Sequence, residues 1–152
     1  MSSTILKEEL VELIPQKPPF RFVDNILELD TDKIVADYRF RPEEFFYAGH
    51  FPGNPITPGV ILLEAMAQVG IVALGLYLLS LESGKENIDK YVTLFTDAQV
   101  EFLAPILPGE RIIIRAEKMF WRRIKIRSKV EIHTEDGKLV ASGIVSGMGV
   151  KR

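Results

Sequence analysis

The stretch Pro58–Leu81, PGVILLEAMAQVGIVALGLYLLSL, decides how this chain folds, because Glu64 and Gln68 are its only clearly polar side chains before Tyr77. A membrane-spanning helix needs about 20 unbroken apolar residues. The two polar groups break the run, and Val69–Leu81 alone is too short, so the stretch predicts a buried core helix. Thr57 is a good N-cap, and Pro58 suits the first helical position. That places Gly59 and Val60 in the first turn, with backbone N–H groups that have no acceptor inside the helix. Such a helix start is suited to polarising an oxygen atom.

A helix that is apolar all round must be covered on every side. Strand signals on both flanks supply the cover. In RIKIRSKVEIH, Arg123–His133, the apolar Ile124, Ile126, Val130 and Ile132 alternate with charged residues, the period of a sheet with one wet face, and His133 falls on that wet face. Asp136-Gly137 marks a hairpin turn into KLVASGIVSG, and YVTLFTDAQVEFL and RIIIRAEKMFW are further strands. Upstream, FRFVDNILEL and DKIVADYRF form another pair, preceded by MSSTILKEELVELIPQ, a short amphipathic helix ended by Pro15. The expected order is helix, two strands, long apolar helix and about four strands, in one domain spanning 1–152 without a linker or repeat. This is an α+β arrangement in which an antiparallel sheet wraps a central hydrophobic helix. One twisted sheet covers part of such a helix and a second copy of the chain covers the remainder, so a homo-oligomer is expected.

Composition narrows the function. With 152 residues and 47% hydrophobic content, the chain buries a core. A net charge of −2 gives no global field for nucleic acid and no reason to expect a membrane surface. The N-terminus lacks the basic start and unbroken apolar stretch of a signal peptide, which points to a cytoplasmic protein. There is no cysteine, and two histidines far apart do not make a zinc site by themselves. Chemistry must run on carboxylate, imidazole, hydroxyl or backbone groups.

Two residues meet that description. His50 sits in GHFPGNP, where prolines and glycines fix the backbone. From the residues alone, a hydrogen-bonded loop histidine and a functional one both stand. Glu64 lies among Leu62, Leu63, Ala65 and Met66, where an unpaired carboxylate is costly to desolvate or takes up a proton at raised pKa. Gln68 lies one helical turn beyond and is placed to hydrogen-bond it, either as a structural network or as part of a site.

FFYAGHFPGNPITPGVILLEAMAQ resembles the active-site segment of the FabZ-type β-hydroxyacyl-acyl carrier protein dehydratases, which have the hot-dog fold. LIPQKPPFRFVDNILELD and FTDAQVEFLAPILPGERI extend the resemblance over most of the chain. Two places depart from it. The family usually has one residue between Phe-Phe and Gly-His-Phe, whereas Tyr47 and Ala48 both intervene here, and it often has basic residues where this chain reads Phe102-Leu103-Ala104-Pro105.

Dehydration of a β-hydroxyacyl thioester needs a base for the α-proton and an acid for the departing hydroxyl. His50 suits the first role, Glu64 the second, and the Gly59 N–H suits the thioester oxygen; the resemblance implies the same roles. Phe51, Val60 and Gln68 join Gly59 as candidate substrate contacts. The resemblance further implies a substrate carried on the phosphopantetheine of an acyl carrier protein, no metal or redox cofactor, and dimers with shared active sites that often assemble into hexamers. Arg122, Arg123, Lys125, Arg127 and Lys129 form a candidate landing site for an acidic carrier, or simply a solvated sheet face. Two other functions stay open: a hot-dog acyl-thioesterase, which uses a carboxylate and a water, and a non-catalytic acyl-binding protein.

Overall fold

Six antiparallel strands form one sheet in the order β1-β2-β4-β5-β6-β3 and curl around the apolar helix. The computed structural model describes residues 5–152. Helix α1 spans Lys7–Leu13 and buries Leu10 and Val11; the first four residues of the amphipathic segment lie outside the described residues. Strands β1 (Asn25–Leu29) and β2 (Lys33–Arg39) follow. Helix α2 then runs over Gly59–Ser83, and β3 (Tyr91–Phe102), β4 (Arg111–Arg122), β5 (Lys125–Thr134) and β6 (Leu139–Lys151) complete the sheet. The expected element order is the observed one, with one addition, a 3-10 turn over Lys85–Lys90.

The alternation read over Arg123–His133 holds from Lys125 onward, whereas Arg123 and Ile124, both at positive φ, form the turn before the strand. Ile126, Ser128, Val130 and Ile132 face the helix and are buried, while Lys125, Arg127 and Lys129 are exposed and His133 is half-buried on the outer face. Ser128 is the polar member of the inner row because its Oγ donates to the Gly70 carbonyl at 2.7 Å. That carbonyl lies in a π-helical segment, Gln68–Ala73, that interrupts α2. Residue 70 must lack a side chain: a Cβ there would stand 2.7 Å from Val130 Cγ2. Helix and sheet are thus in direct contact where the helix widens.

Two expectations about boundaries are corrected. Helix α2 begins at Gly59 with Pro58, not Thr57, as its N-cap, and the Pro58 carbonyl accepts from Ile61 and Leu62 at 3.0 and 3.2 Å. The Thr57 side chain bonds a tyrosine instead. Strand β1 begins at Asn25 rather than Phe20. The Phe22 N–H, which a strand would donate to a neighbouring strand, donates to Gln68 Oε1 at 2.7 Å.

The sheet leaves one stripe of α2 open. Val60 is 72% exposed, and Leu63 and Glu64, three and four residues on, are half-buried. These positions share one face of the helix. At the sheet margin, the twelve-residue strand β3 pairs with β6 alone and is exposed along most of its length, including Leu94, Phe95 and Phe102.

Candidate active site

Between β2 and α2 the chain makes a loop held mainly by its own backbone. Asn54 N donates to the Phe51 carbonyl at 2.8 Å, and Ile56 N donates to the His50 carbonyl at 2.8 Å. His50 Nδ1 lies 2.9 Å from the Ile56 carbonyl oxygen. A carbonyl only accepts, so this bond assigns the proton of the neutral ring to Nδ1 and leaves Nε2 with a free lone pair. The exposed Phe51 ring stacks on the imidazole with centroids 4.3 Å apart. A histidine held this way can accept a proton at Nε2.

Glu64 is held by side chains. It sits on the second turn of α2, and burial pushes its carboxyl above the ordinary range, opposed by a hydrogen bond from Gln68 Nε2 at 2.9 Å. Gln68 is fully buried; its Nε2 also donates to the Phe20 carbonyl at 2.8 Å, and its Oε1 accepts from Phe22 N. Both amide hydrogens and the amide oxygen are thereby engaged. Gln68, a candidate substrate contact, has its side chain tied to the Glu64 carboxyl and inward to the Phe20–Phe22 segment.

At the start of α2 the Gly59 and Val60 amides precede the first intrahelical donor, Ile61. The Phe102 ring walls this end, 3.5 Å from where a Cβ on Gly59 would lie. Val60 projects from the open stripe. The fold therefore gathers His50 with Phe51, Glu64 with Gln68, and Gly59 with Phe102. Among the described residues no hydrogen bond joins the His50 ring to Glu64. Neither residue lines the 330 Å³ cavity beside Thr96, Phe120 and Met148 or the 450 Å³ cavity beside Pro18, Tyr38 and Phe45. Phe20, Phe22, Tyr47 and Thr57 serve the site although sequence reasoning did not select them. Tyr47 and Thr57 had signals, the first as the additional residue before Gly-His-Phe and the second as an N-cap candidate.

An antiparallel sheet wrapped around one central helix, with a histidine loop at the helix start and a half-buried glutamate on its second turn, is a hot-dog fold. The chain belongs to the FabA-like family: the FabA-like domain matches residues 14–145. The 3-hydroxyacyl-[acyl-carrier-protein] dehydratase FabZ of Bartonella bacilliformis is 35% identical over 144 residues, 94% of this chain and 89% of that protein. The bifunctional enzyme LpxC/FabZ of Chlorobaculum tepidum is 42% identical over 113 residues, 73% of this chain but 23% of that longer protein. Among solved structures, the dehydratase heterocomplex ApeI:P from Xenorhabdus doucetiae matches with a TM-score of 0.73 at 12% identity, covering 97% of this chain and 93% of that one. A thioesterase from Haemophilus influenzae matches with a TM-score of 0.68 at 18% identity, covering 97% and 92%. At these identities the two structures speak for the fold alone.

Proposed function

We infer that this chain is a 3-hydroxyacyl-[acyl-carrier-protein] dehydratase of fatty acid or related acyl-chain synthesis, removing water from a (3R)-hydroxyacyl thioester to give the trans-2-enoyl thioester. Beside the family membership, one structural observation carries the reading. An imidazole engaged at Nδ1 with Nε2 left open, and a carboxyl whose hold on its proton burial strengthens, suit the base and the acid that the elimination requires. His50 Nε2 takes the α-proton, the Cα–Cβ double bond forms as the Cβ–O bond breaks, and the Glu64 proton leaves with the hydroxyl as water. The unpaired amide of Gly59 stabilises charge on the thioester oxygen. Phe51, Val60 and Phe102 line the approach, and Gln68 acts through Glu64. The whole of 1–152 is one such dehydratase domain.

The substrate arrives on the phosphopantetheine of an acyl carrier protein. The elimination transfers protons and a hydroxyl, so it calls for no redox group. Arg122, Arg123, Lys125, Arg127 and Lys129, all exposed around the β4–β5 turn, supply a positive surface for an acidic carrier. A cytoplasmic location suits such a partner, and among the described residues the single helix long and apolar enough to cross a membrane is the core helix, mostly buried.

Each site takes residues from two chains. Gly59 and Glu64 differ by about 140° around the helix and ~7.5 Å along it, so one substrate does not meet both on the same helix. The open stripe Val60–Leu63–Glu64 and the exposed margin strand β3 support a two-fold dimer in which Glu64 of one chain faces the partner's histidine loop. Assembly of such dimers into a hexamer is compatible with this arrangement.

Thioester hydrolysis is the competing chemistry. It needs no α-proton base, which leaves the His50 arrangement without a use. Incubation with a β-hydroxyacyl thioester separates the readings: the enoyl thioester is expected, free thiol would indicate a thioesterase, and neither product would indicate acyl binding alone.

A further inference from the structure

The loop that carries His50 is closed at its base by two side chains. Tyr47 Oη and Thr57 Oγ1 are 2.6 Å apart, and both residues are 4% exposed. Burial pushes the Tyr47 phenol up to about 12, so its O–H stays protonated across the working range of an enzyme. Inside this rung lie the His50–Ile56 and Phe51–Asn54 bonds, giving three nested rungs that narrow toward the loop tip. His50 N donates to the Tyr47 carbonyl at 3.3 Å, and Ile56, which accepts from the imidazole, is bonded covalently to Thr57. Thr57 N is in turn anchored to the Ile106 carbonyl at 2.9 Å, and Pro58 and Gly59 follow directly.

One hydroxyl pair therefore connects Tyr47, whose carbonyl accepts from the His50 backbone N–H, to Thr57, which follows the imidazole's acceptor Ile56 and leads into the helix start. Tyr47 and Thr57 bracket a loop of nine residues, 48–56, which has many conformations to lose on ordering. A buried side-chain crosslink at its base restricts them, and it also satisfies a threonine hydroxyl that is not used for helix capping.

We propose that Tyr47 and Thr57 are positioning residues, a buried hydroxyl strut that fixes the separation between the His50 imidazole and the Gly59 amide and thereby holds His50 as the Nδ1–H tautomer. This rests on the dehydratase reading for its catalytic consequence, but its structural part is measurable without turnover. The strut touches no reacting atom and acts by keeping base and oxyanion donor at their working spacing.

The experiment compares Tyr47→Phe, Thr57→Val, the double variant and Thr57→Ser with the unaltered full-length protein. Two measurements are made on each: turnover of a β-hydroxyacyl thioester, and the ¹⁵N shifts of the histidine side chains, with His50 assigned by its loss in His50→Ala. The expected result is that Tyr47→Phe and Thr57→Val each lower kcat by about tenfold with KM changed less than about twofold. The double variant falls no further than either single one, because both remove the same bond. Thr57→Ser, which keeps the hydroxyl, retains turnover. Both limbs of the pH profile stay in place, whereas a proton-donating Tyr47 would lose one. His50 is the Nδ1–H tautomer in the unaltered protein and loses that preference in Tyr47→Phe. Wild-type kcat and an unchanged tautomer in Tyr47→Phe would overturn the proposal, as would additive losses accompanied by a matching rise in KM. Absence of enoyl product from the unaltered protein would refute the dehydratase reading alone, and the tautomer comparison would still decide the strut.

Discussion

The His50 loop takes its geometry from main-chain groups: a carbonyl at 2.9 Å sets the ring tautomer, and short backbone bonds close the loop around it. Glu64 stands on a helix among apolar side chains, and its carboxyl accepts a hydrogen bond from a glutamine that is itself tied to a segment more than forty residues earlier. The difference follows from what each proposed role demands. A base needs a lone pair that is open and correctly aimed, which a carbonyl at the opposite ring nitrogen secures without enclosing the ring. An acid that must remain protonated needs a poorly solvated setting, which a core helix supplies and a surface loop does not.

Breaking the loop side has the largest expected effect. His50→Ala removes the base and should lower turnover on the order of a thousandfold while the melting temperature stays close to that of the unaltered protein, since a loop imidazole contributes little packing. Near-normal turnover in the folded variant would remove His50 from the mechanism. Glu64→Gln keeps shape and hydrogen bonding but cannot cycle a proton, and a loss of about a hundredfold is expected; normal turnover would make Glu64 structural. The same variant reports on the raised carboxyl. Below the ordinary glutamate range the acid is neutral in both folded and unfolded chains and carries no penalty. As pH rises toward the elevated folded value, the native state holds the extra proton and stability falls. Glu64→Gln lacks that dependence, so its melting temperature relative to the unaltered protein should rise between acid and neutral pH.

Gln68→Met sharpens the comparison from the other side. It strands the Phe22 N–H and the Phe20 carbonyl and frees the Glu64 carboxyl, and is expected to cost about 2–4 kcal/mol in denaturant unfolding. Retained stability would mean that the tether is dispensable. The smallest effect is expected far from both groups. Reversing Arg122 and Arg123 to glutamate should raise KM for carrier-bound substrate several-fold and spare a small pantetheine thioester; equal effects on both would place the carrier elsewhere.

Local pattern carried much of this architecture into the sequence. Period-2 alternation located β5, the long apolar run located α2, and an isolated carboxylate in that run marked Glu64. The Glu64–Gln68 bond was legible because both residues lie on one helix a turn apart. The features that were not legible depend on distant partners. Gln68 reaches Phe20 and Phe22 across 48 and 46 residues, and its demand for the Phe22 amide delays the start of β1 to Asn25. Thr57 has the composition of an N-cap, yet Tyr47 engages its hydroxyl and Pro58 takes the capping position. The π-helical widening at Gln68–Ala73 is matched by a serine on β5, a pairing that no local pattern announces.

The central claim is that these two differently held groups, one from each of two chains, act on one substrate. It is tested most directly by mixing His50→Ala chains with Glu64→Gln chains, each nearly inactive alone, under conditions in which subunits exchange. A heterodimer then contains one site with both residues intact, and a substantial part of the turnover should return as heterodimer forms. If exchange is demonstrated and turnover does not return, each chain supplies both residues to its own site and the shared-site account is wrong.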